Sequence, residues 1–133
     1  MDEIIKISKD KDRARDLLNI SNERLTIIKI LPRTMPFKIL EEYYEIILEL
    51  ITAIMYLDGC KTLSHVGAIN YLSKNYSQLS PNQLNIIDNM RKLRHGIVYY
   101  GKKIKEEYLI NYESEIIKII NILNSKVKEK LAE

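Results

Sequence analysis

The chain has 133 residues, 46% of them hydrophobic and 29% charged, enough for one domain with its own core and too few for two. That balance excludes a disordered chain, and the formal charge of +3 is too small to argue for nucleic acid unaided. The lone cysteine, Cys60, excludes an internal disulfide and a cysteine-based zinc site. Four glycines and three prolines fall at would-be joints, a pattern that favours long helices over many short strands.

Residues 1–8 are amphipathic but short, and are expected to extend the first helix or to fray. They carry no secretory pattern. The most apolar run, Ile46 to Leu57, is broken by Glu49 and is too short to span a bilayer. The expected localisation is therefore cytoplasmic, with no membrane partner. From Lys9 to Leu31, Ala14, Leu17, Leu18, Ser21, Leu25 and Ile28 follow helical spacing. Pro32 and Pro36 bracket the first joint, and Pro36 suits the first turn of a helix over 36–58.

That second helix is apolar around most of its circumference, with one polar strip of Lys38, Glu41, Glu42, Glu45, Glu49 and Thr52. Such a helix belongs at the centre of a bundle or at a subunit interface. Its acidic strip faces either solvent or a basic helix. Asp58-Gly59 reads as its C-terminal stop. A short helix over 64–76 follows, with Val66, Ile69, Leu72 and Tyr76 inward. His65, at its start, reads as a structural histidine hydrogen-bonded near the Gly59–Thr62 turn.

Ser80, Pro81 and Gln83 form a strong helix start: a capping side chain, a proline suited to the first position and a glutamine three residues after the cap. In the helix that follows, Ile86, Met90, Leu93, Ile97, Tyr100 and Ile104 make an apolar stripe. Asp88, Arg91, His95, Tyr99 and Lys102 fall opposite. Between Asp88 and Glu106 lie Arg91, Lys92, Arg94, Lys102, Lys103 and Lys105, with no acid among them. That side suits an anionic partner, and it also fits a plain solvated face. The last helix, over 105–131, places Leu109, Tyr112, Ile116, Ile119 and Leu123 on one side. The expected fold is all-α, a single-domain antiparallel up-and-down bundle of four long helices and one short one.

Several chemistries are excluded. A di-iron carboxylate bundle needs glutamate three residues before each histidine, where Thr62 and Lys92 stand here. Four scattered glycines build no phosphate loop or dinucleotide fingerprint, and no nucleophile elbow is present. No metal and no cofactor is expected.

Three stretches in order carry a resemblance: Tyr44 to Leu50, Asp58 to His65, and Met90-Arg91-Lys92-Leu93-Arg94-His95-Gly96-Ile97-Val98-Tyr99-Tyr100-Gly101. Together they resemble the archaeal HEPN-domain proteins. The resemblance implies a helical bundle that forms a homodimer. Many members are metal-independent endoribonucleases, often the toxin of a toxin–antitoxin pair whose partner is a small nucleotidyltransferase. The family's catalytic pattern is R-x4-6-H, with a polar residue after the arginine. Arg94 and His95 match the arginine and the polar residue, but Tyr99 stands where the shortest form has histidine. Arg91-x3-His95 is one residue too short.

This departure matters chemically. Metal-free RNA cleavage needs a base, an acid and a cation on the phosphate. Arginine supplies the cation. Tyrosine, with an unperturbed pKa of about 10, is a poor base at pH 7, so His95 would have to move the proton. On a straight helix Arg94 and Tyr99 also lie about 140° apart. The candidate catalytic residues are thus Arg94, His95 and Tyr99, with Arg91, Lys92, Lys102 and Lys103 as candidate nucleic-acid contacts. The expected function is an RNA- or nucleotide-binding dimer with weak or no nuclease activity. The alternatives are an active metal-independent endoribonuclease and an interaction module for a nucleotidyltransferase.

Overall fold

A computed structural model describes residues 3–133; the first two positions of the N-terminal segment lie outside the described residues. Five helices follow one another: α1 (Lys11–Ile30), α2 (Pro36–Asp58), α3 (His65–Asn75), α4 (Pro81–Tyr100) and α5 (Glu106–Leu131). The architecture is the expected all-α bundle of four long helices and one short one. No helix among the described residues is long and apolar enough to cross a membrane.

α2 is the axis of the bundle. It packs against α1, α5, α4 and α3 in turn. Its Ile39, Leu40, Ile46, Ile47, Leu50, Ile51, Ala53 and Ile54 are fully buried. Burying each isoleucine or leucine is worth roughly 1.5–3 kcal/mol, so the broad apolar surface of α2 dominates the core. Leu18 and Ile28 of α1, Ile87 and Met90 of α4, and Ile116, Ile119 and Leu123 of α5 close around it.

The helix starts follow local chemistry. The Ser80 hydroxyl accepts from the Gln83 amide at 3.1 Å, and the Gln83 side chain accepts from the Ser80 amide at 2.9 Å, which completes a capping box. Ser64 caps α3 by accepting from Gly67 N at 2.8 Å, and Asp10 caps α1 by accepting from Arg13 N at 2.9 Å.

Over residues 3–8 the N-terminal segment neither extends α1 nor frays. Ile5–Lys6 forms a strand, β1, antiparallel to β2 (Cys60–Lys61), with Ile5 opposite Lys61 and Lys6 opposite Cys60. Ile7 N donates to the Gly59 carbonyl at 3.0 Å. Gly59 permits this contact: its φ is +83°, and a Cβ there would sit 3.1 Å from the Ile7 oxygen.

Two aromatic side chains read as inward face outward. Tyr100 is 71% exposed, because the apolar line passes from Ile97 across the Gly101 turn to Ile104. Tyr112 is 43% exposed and stacks on Tyr108 at 4.9 Å between centroids, while Leu109 and Ile116 take the core side. Lys102 lies beyond the helix rather than on its opposite side, since α4 ends at Tyr100 and Gly101 turns the chain at φ +61°.

Candidate nucleic-acid interface

The residues singled out in 91–103 separate into two groups. The first is built into the bundle. Arg94 points towards α2, where its guanidinium meets Glu45 at 3.2 Å, each side chain 28% exposed. It also stands 5.9 Å from the centre of the Tyr44 ring. The Tyr44 hydroxyl in turn meets His65 Nδ1 at 3.1 Å. One line of contacts therefore runs from Glu45 and Arg94 through Tyr44 to the first residue of α3. Arg91 is turned back on its own helix, with Nε 2.9 Å from Asp88, and Lys92 reaches the other oxygen of that carboxylate at 3.4 Å.

The electrostatics of this group follow from its burial. Burial pushes the Tyr44 hydroxyl up to about 12, against the opposing pull of Arg91 and Arg94. Burial also lowers the His65 pKa, and Arg94 and Arg91 lower it further while Glu45 opposes them. His65 is therefore mostly neutral at pH 7. Its partner is Tyr44 and not the Gly59–Thr62 turn. The acidic strip of α2 is shared out between neighbours. Glu45 takes Arg94, whereas Glu42 and Glu49 both hold Arg24 of α1 at 3.0 Å.

The second group lies at the exposed end of α4. The His95 and Tyr99 rings are 4.6 Å apart between centroids, and His95 and Tyr100 are 5.8 Å apart. Tyr99 is 66% exposed and Tyr100 71%. The Lys102 stem folds back over Gly96, whose missing Cβ would sit 3.3 Å from Lys102 Cδ. The Lys102 amide donates to the Gly96 carbonyl at 3.1 Å. Lys102 and Lys103 then line a groove of about 440 Å³ whose apolar walls are Pro36, Phe37, Ile97 and Ile104.

His95 thus gathers with Tyr99 and Tyr100, while Arg94 meets Glu45 and Tyr44. The sequence reading missed Glu45, Tyr44 and His65 as companions of Arg94. A usable signal was present for one of them, since Glu45 lies on the acidic strip that had a basic helix as a candidate partner. Among the described residues no three histidine, cysteine, aspartate or glutamate side chains gather as a metal-ligand set. No protein-family model matches the chain, and no curated protein matches it.

Proposed function

We propose that the chain is a HEPN-like helical bundle that works as a dimer and binds RNA or nucleotides through the C-terminal end of α4, with weak or no nuclease activity. The observation that carries this reading is the exposed aromatic cluster of His95, Tyr99 and Tyr100, followed in the chain by Lys102 and Lys103, which line the groove at Ile97 and Gly101. Exposed rings beside lysines can stack bases while the ammonium groups meet phosphates. Folding alone gives no reason to expose two adjacent tyrosines to this degree. A weak nuclease fits the partition of the predicted catalytic set: Arg94 is committed to Glu45, so it is poorly placed to share a phosphate with His95.

The test is a mobility-shift assay with end-labelled single-stranded RNA in excess chelator, comparing the wild type with a Tyr99→Ala, Tyr100→Ala double variant. A salt-sensitive shift that the double variant loses, without cleavage, is the expected result. Cleavage by the wild type would replace this reading with a metal-independent endoribonuclease. A shift that the variant retains, or no shift at all, would overturn the RNA interface and leave the protein-interaction reading. Sedimentation equilibrium checks the dimer.

A further inference from the structure

The turn from Gly59 to His65 has no part in the α4 interface, yet it borders a second cleft. This cleft, of about 420 Å³, lies between the start of α1, the second half of α2 and the turn leading into α3. Three basic side chains line it, Arg13, Lys61 and His65, and no carboxylate does. Its floor is apolar, made by Leu48, Met55 and Ala68, and Thr62 adds a hydroxyl.

The basic groups come from three different elements and are held there by the fold. Arg13 lies over the Tyr56 ring at 4.8 Å, a contact that orients the guanidinium without neutralising it. Lys61 is set by the β1–β2 pairing, in which it stands opposite Ile5. His65 is fixed through Nδ1 by the Tyr44 hydroxyl, which leaves Nε2 as the nitrogen to meet a ligand. Asp10, Asp12 and Asp16 share a separate groove with Arg13, and Asp12 is already paired with Arg15 at 3.1 Å. Neither Arg13 nor Lys61 forms an ion pair among the described residues.

Two cations and a histidine ring nitrogen, with no acid among them, select an anion, and an apolar floor selects a ligand with an organic body. We propose that this cleft is a binding site for a small phosphomonoester, its phosphate held by Arg13, Lys61 and His65 and its apolar or planar part seated on Leu48 and Met55. The proposal does not rest on the RNA reading, since none of these side chains belongs to the α4 end.

Phenyl phosphate and inorganic phosphate are the probes, followed by isothermal titration calorimetry and by the His65 ring resonances in NMR spectra. Saturable binding of phenyl phosphate that moves the His65 resonances and is displaced by inorganic phosphate is expected. An Arg13→Gln, Lys61→Gln double variant should bind about tenfold more weakly or worse, with an unchanged melting temperature. The Tyr99→Ala, Tyr100→Ala variant should bind like the wild type. No saturable binding would overturn the proposal. So would undiminished binding by the Arg13→Gln, Lys61→Gln variant, or binding lost only with the two tyrosines. Failure of phosphate to compete would overturn the assignment of the anion.

Discussion

Two tyrosine pairs close opposite ends of the bundle, and they are treated in opposite ways. At the C-terminal end of α2, the hydroxyls of Tyr71 and Tyr76 both donate to Asp58 Oδ2 at 2.6 Å, while Lys130 meets Oδ1 at 2.6 Å. Burial raises both hydroxyls, Tyr76 to about 12, and their hydrogen bonds to Asp58 raise them further. Burial also works against the Asp58 carboxylate, but the bonds from Lys130, Tyr71 and Tyr76 outweigh it and hold its pKa below the ordinary range. At the other end, about 30 Å away along α2, Tyr99 and Tyr100 face solvent just before Lys102 and Lys103 in the chain, and among the described residues no carboxylate bonds to either hydroxyl. Tyrosine and lysine thus form a structural clamp when a carboxylate completes it; the exposed pair lacks that acceptor, which is why we propose it as a surface for an anionic partner.

Removing the carboxylate from the first cluster is the strongest way to break the comparison. Asp58→Ala would leave a largely buried ammonium and two tyrosine hydroxyls without their acceptor. We expect a loss of about 3 kcal/mol, read as a melting temperature lower by about 10 °C, with RNA binding unchanged. The pH dependence has a defined sign. A depressed folded pKa means that this stabilisation is full above the unfolded value of about 3.9 and is lost as pH falls through the folded pKa. Wild-type stability should therefore fall in acid more steeply than that of Asp58→Ala, as measured by urea unfolding between pH 5 and pH 2, a window set by that unfolded value.

The converse substitution sharpens the other half. Tyr99→Ala with Tyr100→Ala should weaken single-stranded RNA binding by at least about tenfold, since each base–aromatic stack is worth about 1–3 kcal/mol. Stability should move by less than about 0.5 kcal/mol, because neither ring is in the core. Lys102→Gln with Lys103→Gln should lower the slope of log affinity against log salt by about 0.7 for each phosphate contact removed. A large drop in melting temperature for the tyrosine variant would show that the exposed pair is structural after all.

Local features of this chain were legible because local chemistry decides them. The capping box follows from Ser80, Pro81 and Gln83, and the α2 boundaries follow from Pro36 and Gly59. The partition of the candidate site was not legible, because it depends on which helix faces which. Arg94 and Arg91 are three residues apart and look alike in sequence. One crosses to Glu45 of α2 and the other turns back to Asp88. The pairing of Ile5–Lys6 with Cys60–Lys61 joins segments more than fifty residues apart, and strands of two residues carry no periodic signal. Tyr100 satisfied the helical spacing, but spacing does not reveal that the chain turns at Gly101 and hands the inward position to Ile104.

His65 lies between the two ends and gives a smaller, pH-specific effect. Its folded pKa is lowered, so below the unfolded value of about 6.5 the unfolded chain binds the proton more readily. Stability should then decline as pH falls from about 6.5 towards the folded pKa, and His65→Asn should flatten that part of the profile. A profile unchanged by His65→Asn would show that the desolvation of this ring contributes nothing to stability.

The smallest expected effect is at Gly96, where the exposed end of α4 departs from ordinary helix chemistry. A glycine inside a helix is roughly 0.8–1 kcal/mol less favourable than alanine. At Gly96 φ is not positive, so conformation does not require glycine. The atoms that an added Cβ would meet belong to the Lys102 side chain, with Cδ nearest at 3.3 Å. A lysine stem can move aside by a few tenths of an ångström, whereas packed core atoms could not. Gly96→Ala should therefore stabilise the fold by about 0.5 kcal/mol. It should also displace Lys102 and weaken RNA binding by less than twofold, about the effect of misplacing one exposed charge. Greater stability with unaltered RNA affinity would mean that the position of Lys102 over Gly96 is incidental to binding. Lower stability would mean that the Gly101 turn holds Lys102 rigidly, making this end of α4 as firmly packed as the Asp58 end.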